Sequence, residues 1–132
     1  SQFLDYLQWQ GTYDMSAYLT IPDTIDFLNQ HNWENITKQC HELNVWARDR
    51  ILSEFDIEPI CNNMFLAQMS SIEFPFSDPL ENQIEFYNKY KIQIPFWNWH
   101  DKTLFRISMQ AYNNNQDIYR LIDALKNYQN NS

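Results

Sequence analysis

The stretch Thr103-Leu-Phe-Arg-Ile-Ser-Met-Gln-Ala-Tyr-Asn-Asn-Asn-Gln-Asp-Ile-Tyr-Arg-Leu-Ile-Asp-Ala-Leu-Lys126 carries two periodicities in succession. From Thr103 to Met109 the period is two. Phe105, Ile107 and Met109 fall on one side and Leu104, Arg106 and Ser108 on the other, the pattern of a half-buried strand. Asn113, Asn114 and Asn115 interrupt it with side chains that bond their own backbone and favour turns. From Asp117 the spacing becomes helical, with Ile118, Leu121, Ile122 and Leu125 at i, i+3, i+4 and i+7. The reading is a strand, a polar corner and a closing helix, with a single cation, Arg106, in mid-strand.

A lone arginine on the polar face of a strand is most often solvated or paired with a neighbouring carboxylate. The functional reading is an anion-holding group. A guanidinium on a rigid strand offers a planar fork that matches a carboxylate, with charge-assisted bonds of about 1.5–3 kcal/mol each.

Working back from this strand, His100-Asp101-Lys102 is expected to make a hairpin turn. The preceding strand would run from Tyr90 to Trp99, and Pro95 assigns it to an edge or a bulge. Trp97 and Trp99 are assigned to packing rather than to a pocket beside Arg106. Phe74-Pro-Phe-Ser-Asp-Pro79 leads into a helix with Pro79 at its first position, which gathers Leu80, Ile84 and Tyr87. Phe65 to Met69 is a short apolar run expected as another strand, and Ile57 to Asn63 is a connector.

Nearer the N-terminus, Ile36, Cys40, Leu43, Ala47 and Ile51 mark one face of a long helix from Glu34 to Phe55. His31-Asn32 breaks an earlier helix whose face is Tyr18, Ile21, Ile25 and Leu28, and Pro22 should restart that helix. Asp14 or Ser16 is suited to cap it. Gln2 to Gln10 is expected to extend into a loop. The fold class is therefore α+β: a small, mainly antiparallel sheet of about three strands covered on one face by helices. Residues 1–32 form one region and residues 33–132 the other.

Composition narrows the function. The 132 residues are 44% hydrophobic and 17% aromatic, so the chain should fold. With 17 acidic against 9 basic residues the formal charge is −8, which leaves no basic face for nucleic acid or an anionic membrane. No apolar run reaches the roughly 20 residues of a membrane span. Cys40 and Cys61 do not make a disulfide framework and suit a reducing cytoplasm. In Cys40-His41-Glu42, consecutive helical side chains point about 100° apart, too divergent to share a metal. His31 and His100 lack spaced partner ligands and read as solvated.

Two segments carry a family resemblance. Arg106-Ile-Ser-x-x-x-Tyr-Asn, followed by Asp117 and Ile-x-x-Leu-Ile-x-Ala-Leu, resembles the C-terminal signature of the class V aminotransferase fold, a group of pyridoxal-phosphate enzymes. Trp9-Gln-Gly-Thr-Tyr-Asp-Met-Ser-Ala-Tyr-Leu19 resembles Trp-x-Gly-Thr-Arg-Asp-x-Ser-Ala-Tyr-Leu of its isopenicillin N epimerase-like branch. The resemblance implies a C-terminal small domain, residues 33–132, with residues 1–32 on the large-domain and dimer-interface side of a homodimeric parent. It implies that Arg106 grips the α-carboxylate of an amino-acid substrate, and that Gly11 and Thr12 contact the cofactor phosphate of the neighbouring subunit. Tyr13 departs from the family arginine and cannot supply its charge.

The family's Schiff-base lysine lies before the matched region, and Lys38, Lys89, Lys91, Lys102 and Lys126 fall in unlike contexts. The chain alone is thus expected to be inactive, with no catalytic residue and no metal of its own, and to bind no pyridoxal phosphate by itself. It reads as a fragment of a longer, cytoplasmic enzyme. A cysteine desulfurase would need a nucleophilic thiol before the arginine strand, where Ile94 to Lys102 has none, and this favours the epimerase-like branch. The alternative is a non-catalytic acidic protein-interaction module, supported by the dense aromatic content and the missing lysine.

Overall fold

The structure, a computed structural model, describes residues 1–8 and 11–131 and divides into two compact units, Ser1–Trp33 and Glu34–Ser132. The first unit is helical: α1 (Gln2–Gln8), α2 (Ser16–Leu19) and α3 (Ile21–Gln30). The segment expected to be an extended loop is instead α1. The Ser1 hydroxyl accepts from the Leu4 amide at 3.3 Å and satisfies one orphan donor of the first turn. Trp9 and Gln10, which open the second family-like segment, lie outside the described residues.

Asp14 accepts from the Ser16 amide at 2.9 Å just ahead of α2. The helix then restarts at Thr20, with Pro22 in the first turn of α3, where its missing donor costs nothing. His31 and Asn32 end α3, Asn32 in the left-handed region at φ +48°. Phe27 stacks between His31 and Trp33, with ring centroids 4.3 and 5.9 Å away.

The second unit is the α+β body. It contains α4 (Trp33–Phe55, from Glu34 on), β1 (Met69–Glu73), α5 (Pro79–Glu85), β2 (Phe96–Trp99), β3 (Lys102–Ser108) and α6 (Asn115–Asn131). The three strands form one antiparallel sheet in the order β1-β3-β2, so the arginine strand is central and β2 an edge. Ile72, Phe96, Phe105 and Ile107 are buried together with Ala47 and Ile51 of α4 and with Ile118, Leu121, Ile122 and Leu125 of α6. One sheet face is thereby covered by helices.

Phe76 is the hub of an aromatic cluster, 4.5 Å from Phe96, 5.1 Å from Tyr128 and 5.9 Å from both Phe86 and Phe105 between ring centroids. Edge-to-face pairs of this kind add to the burial of the rings themselves. Leu104, expected on the polar face, is buried. Its cross-strand partners are Trp97 and Glu73.

Three elements differ from the periodicity. Phe65 belongs to a 3-10 turn that Asn62 caps by accepting from the Met64 amide at 3.0 Å, and the strand begins only at Met69. Tyr90 is the end of a wide helical turn (Phe86–Tyr90) that continues α5. Lys91, at φ +58°, reverses the chain, and β2 starts at Phe96. Leu80, Ile84 and Tyr87 face solvent, because α5 turns Asn82 and Phe86 inward instead. Polar Asn82 on the buried side is what defeats an apolar-stripe reading. Among the described residues no helix is long and apolar enough to cross a membrane.

Candidate functional site

The site begins where β2 stops. Phe96 pairs with Phe105, and the Arg106 amide makes one further bond, to the Pro95 carbonyl at 3.3 Å. Beyond it, Ile92 to Pro95 peel away from β3, and a cleft of about 560 Å³ opens between them and the start of α6. That volume lies within the usual range of small-molecule sites, roughly 300–1,000 Å³. Arg106 and Ser108 reach the cleft from β3, Lys91 from the reversed segment, and Asp117 and Arg120 from the first turns of α6.

Local structure sets where these residues stand. Arg106 is held between β1 and the end of β2, with Ser71 opposite it on β1. The corner before α6 is a reciprocal cap. The Gln116 amide donates to Asn114 Oδ1 at 2.8 Å, and the Asn114 amide donates to Asp117 Oδ2 at 3.0 Å. One oxygen of Asp117 is engaged in this cap, whereas Arg106 and Arg120 form no ion pair or side-chain hydrogen bond with any described residue. Both guanidiniums are exposed. The tryptophans stand apart: neither Trp97 nor Trp99 lines the cleft, and Trp99 packs beside His100 at 4.9 Å.

Gly11 and Thr12 lie in the first unit and are exposed. Gly11 has φ +70°, a conformation that favours glycine, and an added Cβ would meet nothing within 4 Å. Their amides bond to no other described residue. Tyr13 packs edge-on against Tyr18 at 6.1 Å. Desolvation first and Tyr18 second raise its pKa above the ordinary phenol value.

The lysines are exposed and largely engaged. Lys89 pairs with Glu85 at 3.1 Å, Lys102 with Glu73 and Lys126 with Glu54, and Lys91 donates to the Asn88 carbonyl at 2.8 Å. Tyr90 and Glu85 raise the pKa of Lys89, and Glu73 raises that of Lys102. A Schiff-base lysine needs the opposite shift, toward the neutral amine. Cys40 is buried in α4 and Cys61 half-buried, both as free thiols. His41 Nδ1 lies 3.0 Å from the Ala67 carbonyl.

Sequence reading singled out Arg106 but not Arg120. The signal available was the spacing Asp117, Arg120, Leu121, which puts the arginine on the flank of α6 just beside its buried stripe.

No family model matches the chain. Among curated proteins it is similar to isopenicillin N epimerase of Amycolatopsis lactamdurans, at 25% identity over 91% of this chain and 31% of the relative. It is also similar to a protein of Arabidopsis thaliana named probable L-cysteine desulfhydrase, chloroplastic, at 29% identity over 89% of this chain and 28% of that protein. The chain thus spans about three-tenths of the length of these curated relatives.

Proposed function

We propose that this chain is the C-terminal part of a pyridoxal-phosphate enzyme of the class V aminotransferase type that works at the α-carbon of an amino acid. In this reading Arg106 binds the substrate α-carboxylate. The observation that carries it is the unpaired guanidinium, seated mid-strand on the central strand of the sheet and opening into a cleft of about 560 Å³. In a chain with an excess of carboxylates, an arginine left without one is a standing site for an incoming anion.

Two further features support the cofactor. The amides of Gly11 and Thr12, which bond to no other described residue, suit a phosphate oxygen, and Gly11 adopts φ +70° with open space around it. Both similar proteins match the chain along a minor share of their length, which accords with a cofactor lysine located elsewhere in the parent. When bound, pyridoxal phosphate would supply the electron sink that acidifies the substrate Cα–H bond. The role of Arg106 is orientation: a carboxylate clamped at one end fixes the direction of that bond. Between the branches, the absence of a cysteine from Ile94 to Lys102 favours the epimerase-like one over a desulfurase.

The first unit accords with the large-domain and dimer-interface side of a homodimer. None of its described residues is buried, and eleven large apolar side chains from Phe3 to Phe27 are exposed. The chain by itself would lack activity in this reading, because the Schiff-base lysine of such enzymes lies outside it; Lys89 and Lys102 are shifted away from the neutral amine by Tyr90 and Glu85 and by Glu73. The two free thiols accord with the cytoplasm.

The test is kinetic. In the full-length enzyme carrying this chain, Arg106→Ala should lose about 2–5 kcal/mol of substrate or transition-state binding. Arg106→Lys should recover only part, because an ammonium lacks the planar fork. Unchanged kinetics on every accepted amino acid would remove the assignment.

A further inference from the structure

The cations of this chain are distributed unevenly. Of nine lysines and arginines, five sit in ion pairs among the described residues: Arg48 with Asp49, Arg50 and Lys126 with Glu54, Lys89 with Glu85 and Lys102 with Glu73. The remaining four are Lys38, Lys91, Arg106 and Arg120, and all but Lys38 line one cleft. Carboxylates outnumber cations by eight, yet three of these four cations gather at a single cleft.

One carboxylate, Asp117, lines the cleft against three cations, so the balance there is positive. Asp117 Oδ2 accepts from the Asn114 amide at 3.0 Å and holds the helix cap. Lys91 spends one donor on the Asn88 carbonyl and keeps its charge. Arg106 and Arg120 stand on different elements, β3 and α6, so they present two guanidinium forks rather than one shared site. A single α-carboxylate uses one such fork in a bidentate pair. The second is left over, in a cleft with room for more than an amino-acid backbone.

We infer that the cleft takes an amino acid bearing a second anionic group on its side chain, the α-carboxylate at Arg106 and the distal group at Arg120, with Lys91 adding charge at the rim. This rests on the reading of Arg106 given above and names the substrate class. The distal group is a carboxylate or a phosphate, since a guanidinium fork fits both.

The test compares L-glutamate, O-phospho-L-serine and L-norvaline, the last matching the carbon chain of glutamate without its second charge. Binding is followed by amide chemical shifts of the 132-residue chain. Wild type should bind glutamate or phosphoserine about tenfold more tightly than norvaline, as one charge-assisted pair implies. Whichever of the two binds more tightly identifies the distal group. Arg120→Gln should erase that preference and leave norvaline binding unchanged. Arg106→Gln should weaken all three alike.

Arg120 is exposed, so dispersed spectra of Arg120→Gln will confirm that it folds. The inference is overturned if wild type shows no preference, or if Arg120→Gln weakens norvaline as much as glutamate. The reading of Arg106 fails separately, if Arg106→Gln leaves all three affinities in place.

Discussion

The Arg106 amide donates to the Pro95 carbonyl at 3.3 Å, the last bond between β3 and the segment of β2. Two residues further along β3, Ser108 already lines open space. The cleft is therefore a consequence of sheet termination. β2 is short because Lys91 reverses the chain late and Pro95 offers no amide to continue the ladder.

This geometry makes the cleft separable from the fold. Ser108 is exposed and pairs only through its backbone with Met69 on β1. Ser108→Leu should fill the cleft beside Arg106 and reduce substrate kcat/KM in the full-length enzyme by about tenfold or more. Stability should stay within about 0.5 kcal/mol, as for surface substitutions generally. Loss of stability without loss of binding would mean that this surface is not the ligand cleft.

Much of the second unit was legible in the sequence, and the exceptions share a cause. The strand-corner-helix of β3 and α6 was clear because each element buries one face against one partner, so its period survives. The same holds for α4, whose full length was marked by apolar spacing. The periodicity failed where polar residues point inward. Asn82 on α5 and Asn44 and Arg48 on α4 are buried, and a pattern read from hydrophobicity alone assigns them to solvent. It failed again at Phe65, where a capped 3-10 turn took an apolar run out of the sheet. Arg106 was visible as a lone cation in an alternating strand. Arg120 was not, because the convergence of β3 and α6 on one cleft is a tertiary fact.

Asn44 illustrates what buried polar groups do here. Its Nδ2 donates to the Ala67 carbonyl at 3.1 Å, and its Oδ1 accepts from Ser70 Oγ at 2.9 Å, fastening α4 to β1. Ala67 would keep a partner in His41, but Ser70, itself buried, would not. Asn44→Ala should cost about 1–3 kcal/mol, the penalty of a buried unsatisfied group plus a lost bond. Urea unfolding should show a lower midpoint at an unchanged slope. A midpoint equal to that of wild type would mean the clip contributes nothing.

Arg48 organises the connector after α4. It is 5% exposed. It donates to the Cys61 carbonyl at 2.9 Å, to Asp49 at 3.1 Å and to Asn63 Oδ1, so one guanidinium ties together three acceptors. Arg48→Met keeps the stem and removes the fork, and should cost about 2–3 kcal/mol. Arg48→Lys should rescue little, because a single ammonium on a flexible stem cannot span the same set. Chemical denaturation of both variants checks this, and full rescue by lysine would show that charge alone matters.

Glu54 offers a pH-dependent test of how α4 and α6 are held. It accepts from Arg50 at 3.0 Å and from Lys126 of α6, and its side chain is 20% exposed. The hydrogen bond from Lys126 is the chief cause lowering its pKa; burial opposes this, and the charges of Lys126 and Arg50 reinforce it. A carboxylate with a depressed folded-state pKa stabilises the fold above its unfolded-state value, and that contribution is lost as pH falls through the depressed value. Glu54→Gln should therefore lower the thermal midpoint at neutral pH. The deficit should shrink steadily through the acid range and vanish once the wild-type carboxylate is protonated. Midpoints measured across that range decide the matter: a deficit that is the same at every pH would assign the effect to shape and packing, not to the ion pair.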